Sequence, residues 1–180
     1  EASMSLLHSF YCWGCMLVII GSTVFFTLVG MDHWRTLACL WAIIPLLNFV
    51  YFTQVPIAPL VEEGRAMPIS TLLRSRLFWL LALLMVCAGA SELSMSQWAS
   101  AFAESGLGVS KSLGDLAGPC FFALLMGVSR VIYANISHRV ELTRFMAWCS
   151  ILCAISYLLA VFAPWPILSL MGCGLCGLSV

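Results

Sequence analysis

The chain has 180 residues, of which 62% are hydrophobic and 9% charged, with a mean hydropathy of +1.04. A soluble domain carries about a quarter charged residues, so a water-facing surface is excluded. Eight basic residues balance eight acidic ones, which leaves no basic patch to hold nucleic acid. The chain opens on Glu1 without a charged leader before its first apolar run, and closes on Val180 inside an apolar run. Both ends read as cuts in a longer chain.

A membrane-crossing helix needs about 20 mostly apolar residues. Leu6–Val29 and Thr36–Ile57 contain no Asp, Glu, Lys or Arg, and Trp34 and Arg35 stand at the mouth of the second run as interfacial anchors. Leu77–Ala103 is apolar apart from Glu92, Gln97 and scattered serines; Leu113–Ile136 and Phe145–Phe162 follow. Trp165–Val180 reaches only about 22 Å as a helix. The expectation is an all-α polytopic membrane protein with five full spans and a sixth that is truncated. The longest connection, Ala58–Arg76, is the only one of mixed charge throughout and reads as a linker between two helical bundles. The domains expected are therefore 1–57, the linker 58–76, and 77–180.

Loop charge predicts orientation. Arg65, Arg74 and Arg76 fall between spans two and three, and Arg130, Arg139 and Arg144 between spans four and five. The opposite loops hold Arg35 and Lys111. Six against two places the linker and the loop Ser137–Arg144 in the cytoplasm.

Three patterns imitate soluble-enzyme chemistry. Cys12-Trp13-Gly14-Cys15 and Cys173 with Cys176 have CxxC spacing, but both pairs lie in apolar runs without the water-exposed helix start or organised cage that redox or zinc chemistry needs. Reduced, helix-packing cysteines are expected, with no disulfide, metal or cofactor. Gly172-Cys173-Gly174-Leu175-Cys176-Gly177 matches GxGxxG, but no strand precedes it. In a membrane run such glycines let helices approach closely.

The informative side chains are polar groups at membrane depth. Glu92 lies about 22 Å along span three, where an ionisable group costs at least ~2.5 kcal/mol and faces a partner or cavity. Its helical neighbours Ala88, Ser96, Ala99 and Ala103 are small, and Gly89 gives the helix a place to bend. A proton-carrying or substrate-binding carboxylate and a structural carboxylate bonded to another helix are both open readings. Gln97 points about 140° away from Glu92 on an ideal helix. With Trp98 it suits either a sugar face or an aromatic belt. Asn48 sits near the middle of span two, where an amide must find a partner, as binding group or interhelical glue. His8 and Tyr11 suit interfacial packing. Arg130, at the inner part of span four after Gly127, either snorkels or locks the following loop. No paired nucleophile and base, and no His/Asp metal cluster, supports an intramembrane enzyme.

Two bundles joined by a cytoplasmic linker resemble the major facilitator superfamily around its central loop, with these spans as helices five to ten of twelve. Leu6-Leu7-His8-Ser9-Phe10-Tyr11, with Gly14 after it, is similar to the fifth helix of the fucose permease-like sugar-transporter branch. Gly89-Ala90-Ser91-Glu92 through Gln97-Trp98 is similar to that branch's seventh. Gly127 and Arg130, then Ser137-His138-Arg139 and Arg144, look like the loop between helices eight and nine, departing from its usual form at His138, where an acid is usual, and at Ala134, where a glycine is.

The resemblance implies a secondary transporter, not an enzyme, working by alternating access on a small polar solute, with a sugar moved by proton symport as the candidate case. Glu92, Gln97, Trp98 and Asn48 are the candidates for substrate or proton binding. Gly127, Arg130, Arg139 and Arg144 are candidate conformational residues of the cytoplasmic loop. The expected setting is the plasma membrane, with the lipid bilayer and the solute as partners and the complete protein monomeric. The rival reading is a membrane scaffold or sensor whose intramembrane polar residues only hold helices together.

Overall fold

The computed structural model describes residues 2–56 and 68–180. Among them there is no strand; the order is α1 (Ala2–Val29), a 3₁₀ turn (Met31–His33), α2 (Trp34–Phe52), α3 (Ile69–Arg74), α4 (Arg76–Leu107), α5 (Lys111–Asp115), a π-helical turn (Leu116–Cys120), α6 (Phe121–Ile136), α7 (Leu142–Phe162) and α8 (Pro166–Cys176). Five stretches are long and apolar enough to cross a membrane, α5 to α6 counting as one of 26 residues, while α8 has only 11. The expected five long spans and one short apolar helix are all present. Most boundaries differ by a few residues, since Ala and Ser extend a helix without adding to an apolar run.

Residues 58–67 of the expected linker, loop residue Arg65 among them, and Ile57 at the end of the expected second span lie outside the described residues. The remainder of the linker is not plain loop: Ile69–Arg74 forms the short helix α3, and extended Ser75 separates it from α4.

Glycines decide where α1 and α4 stop. Gly30 takes φ +99° after α1, and Gly108 takes the left-handed φ +67° after α4, a conformation that costs a residue without Cβ little. The chain then turns through Ser110, whose hydroxyl accepts from the Leu113 amide at 3.4 Å, into α5.

Small residues then bring α4 and α5 together as an antiparallel pair. Gly114 faces Ala103, and Gly118 faces Ala99; a Cβ on either glycine would stand 3.2 Å from the facing alanine's Cβ. The π turn follows at once and contains Pro119. Proline has no N–H to donate and its ring crowds the carbonyl four residues back, so the chain widens locally instead of continuing as α-helix.

Beyond the turn, α6 packs along α1, and α8 packs on both α6 and α7. Gly172 lies against the α7 backbone, where a Cβ would be 2.6 Å from the Ala160 nitrogen, and Gly177 lies against the backbone of α6 at Phe122 and Met126. Close helix approach is thus the role of this GxGxxG-like run. Cys12, Met95, Ala99, Phe122, Met126, Ala160, Cys173 and Cys176 form one buried cluster at the meeting of α1, α4, α6, α7 and α8. By contrast, α2 leans on α1 chiefly through Trp41, whose Nε1 donates to Ser22 Oγ at 3.1 Å.

Candidate functional site

Helices α1 and α6 bring polar groups together beside that cluster. Gly127 of α6 permits it: the Trp13 ring and the Cys12 Cβ of α1 lie 3.2 and 3.3 Å from where its own Cβ would be. One turn further along α6 comes Arg130. Its backbone carbonyl accepts from Ser5 Oγ at 2.8 Å. Its Nε is buried without a hydrogen-bond partner among the described residues. Arg130 also borders a cavity of about 230 Å³ toward α7, with Ser129, Tyr133 and Cys149.

Glu92 approaches from α4. It begins the stripe that continues through Met95, Ala99 and Ala103, which are 6%, 3% and 0% exposed, and is itself half-buried. The small-residue face expected at Ala99 and Ala103 is the buried one. No hydrogen bond or salt bridge to the Glu92 carboxylate occurs among the described residues. Next to it, Tyr157 of α7 donates its hydroxyl proton to the Ser91 carbonyl at 2.7 Å and ties this stretch of α4 in place. The helix runs unbroken through Gly89.

The remaining candidates lie elsewhere. Asn48 is exposed on α2 and Gln97 is exposed on α4. Trp98, 68% exposed, borders a separate cavity of about 150 Å³ with Phe102 and Tyr157. Among the described residues, none of the four best-formed cavities is lined by Glu92, Gln97 or Asn48. Glu92, Gln97 and Asn48 do not converge on any of these four.

Gly127 and Arg130 also require correction. Both belong to α6, which continues to Ile136, so Arg130 lies about 9 Å inside the helix end, facing α1. Arg139 and Arg144 do flank the connection: Arg139 Nε donates to His138 Nε2 at 3.1 Å, and Arg144 pairs with Glu141 at 3.0 Å. Histidine here provides the acceptor that an acid would otherwise supply.

A polar group missed in the sequence lies at the other end of the span. Asp115 accepts from the Ser100 hydroxyl of α4 and pairs with Lys111 at 3.2 Å. The signal available was an acid one turn after a lysine, opposite a serine in the preceding span.

Five long apolar helices, packed through glycine and alanine and holding charged groups between them, define a multi-pass α-helical membrane protein. The family model of the Major Facilitator Superfamily matches residues 1–180. The chain belongs to that superfamily, whose members are membrane transporters rather than enzymes. No curated protein and no solved structure matches it.

Proposed function

We propose that the chain serves a secondary active transporter of the plasma membrane, moving a small polar solute by alternating access and proton symport. Residues 1–57 and 77–180 act as parts of two bundles, joined by 58–76 as cytoplasmic linker. The fucose permease-like resemblance makes sugars the first solutes to try, and the unit is a monomer in the bilayer.

The observation that carries this reading is Glu92, half-buried midway along α4 and heading the stripe of buried Met95, Ala99 and Ala103. A carboxylate at such depth is too costly to face lipid alone. It is the ionisable group at mid-depth of α4 and so the candidate to serve the symport proposed here. The close seam between α1 and α6 is where one bundle would move against the other.

The test is Glu92→Gln in the full-length protein reconstituted in vesicles. Gradient-driven accumulation is abolished while solute exchange persists, because exchange needs no net proton transfer. A structural glutamate predicts nearly normal accumulation, since the amide keeps most hydrogen bonds, and that result removes Glu92 from the mechanism.

A further inference from the structure

The seam between α1 and the span that opens with α5 does not close evenly along its length. Near the start of α1, Ser5 bonds to the Arg130 carbonyl, and further along Trp13 lies against Gly127. At the far end, toward Val29, the two walls stand apart around a cavity of about 200 Å³. Thr23, Phe26 and Thr27 line it from α1, and Lys111, Ser112 and Asp115 line it from α5. On the orientation expected from loop charge, this is the outer end of the span.

Thr23 is the group there with an unused donor. It is only 7% exposed, and its carbonyl accepts from the Thr27 hydroxyl at 2.7 Å, but its own hydroxyl makes no hydrogen bond among the described residues. A helical threonine commonly returns its proton to the carbonyl one turn back; Thr27 does so and Thr23 does not. Nor is the Thr23 oxygen sealed in packing, as the unpartnered Ser156 oxygen is. It looks into the cavity. On the facing wall, Asp115 is fixed from two sides: it accepts from Ser100 of α4 and pairs with Lys111 at 3.2 Å. The Lys111 ammonium carries three donors and bonds only to Asp115 among the described residues.

We propose, resting on the transporter reading above, that this cavity binds a neutral, hydroxyl-rich solute no larger than one sugar ring, held between Thr23 and the Lys111–Asp115 pair. The two charges cancel, so an anion meets Asp115 and a cation meets Lys111 without an unpaired opposite charge to offset the repulsion. A hydroxyl both donates and accepts. It can accept the free Thr23 proton or a spare Lys111 proton, and it can donate to an Asp115 oxygen. Phe26 offers an apolar face to the C–H side of a ring. Sites for drug-sized ligands begin near ~300 Å³, and this cavity is smaller, which excludes a disaccharide. On the two-bundle reading α1 and α5 belong to different bundles, so a solute bonded to both walls links them. Glu92 does not line this cavity, so solute binding here and proton coupling there are separable.

The reporter is Met31→Cys in the full-length protein, in detergent and with the native cysteines replaced. Met31 lines the same cavity and is 53% exposed, so a maleimide reaches it and no polar contact is lost. Glucose and xylitol are the neutral probes, sucrose the oversized one, and lactate and lysine the charged ones. At ten times its half-protecting concentration, glucose or xylitol should slow labelling about tenfold by mass action, while the other three leave it unchanged. Thr23→Val removes the hydroxyl at nearly constant shape and should raise the half-protecting concentration about tenfold. Thr23→Ser, which keeps the hydroxyl, should lose far less. Ser112→Cys reports in the same way where Met31→Cys does not fold. Protection by sucrose, lactate or lysine equal to that by glucose overturns the proposal, as do undiminished protection in Thr23→Val and no protection by either neutral probe. None of these outcomes bears on Glu92, since labelling needs no proton transfer. That reading fails separately, if Glu92→Gln accumulates solute normally.

Discussion

Gly118 and Ala99 meet backbone to side chain: a Cβ on Gly118 would lie 3.2 Å from both the carbonyl carbon and the Cβ of Ala99. With Gly114 against Ala103 one turn away, two small-xxx-small pairs close α4 on α5. Gly118→Leu must push the helices apart, and overfilling a packed contact costs about 1–3 kcal/mol. The expected outcome is a lower melting temperature of the full-length protein in detergent. Gly14→Ala, where nothing lies within 4 Å, should leave it unchanged. Equal melting of the two variants would show that this contact does not hold the pair.

Gly172 admits even less. Its added Cβ would meet the Ala160 nitrogen at 2.6 Å and the Ser156 oxygen at 2.9 Å, both backbone atoms that cannot rotate away. Gly172→Ala should therefore separate α7 from α8 and reduce the yield of monodisperse protein. Size-exclusion chromatography of the purified variant checks this, and a profile like the wild type's would count against the tight α7–α8 contact.

Cys12, Cys173 and Cys176 are at most 1% exposed, so their thiols act as packing. Each change to Ala deletes one buried sulfur and should cost on the order of 1 kcal/mol through the space left behind. With Cys15→Ala added, transport should survive at reduced thermal stability. Lost transport at normal expression and stability, or zinc bound at one per chain, would assign these thiols a chemical role.

Orientation can be tested from the loops. With Arg130 assigned to α6, five basic residues (Arg65, Arg74, Arg76, Arg139, Arg144) remain on the expected cytoplasmic side against Arg35 and Lys111. The bias keeps its direction. Single cysteines at Ser75 and Ser137, in a cysteine-free background, should resist an impermeant maleimide in intact cells. Rapid labelling from outside would invert the topology.

The number of spans was legible because bilayer thickness sets the length of an apolar run, and each long run is a helix. The buried face of Glu92 was legible too, because Ala99 and Ala103 recur at helical spacing. Arg130 was misplaced for a physical reason: a basic residue near the end of an apolar run has the composition of a loop. What holds it in the helix interior is packing against α1, including a contact with Ser5 across 125 residues of sequence. Helix α3 escaped notice because six residues carry too little periodicity to stand out from a polar linker. The pairing of Gly114 and Gly118 with Ala103 and Ala99 was present as spacing, but the denser glycine run near the C-terminus is the stronger small-residue signal.

The π turn at Leu116–Cys120 sets the rotational phase of everything after it. One additional residue in a turn rotates the following helix by about 100° relative to an uninterrupted α-helix. Without that offset, Gly114 and Gly118 could still face α4, but Gly127 and Arg130 would swing away from Cys12. The span thus has two independent azimuths, one aimed at its neighbour in the hairpin and the other at α1, and Pro119 marks the joint between them. Removing a single residue there would leave the apolar length nearly unaltered, yet would aim the guanidinium of Arg130 at a different neighbour.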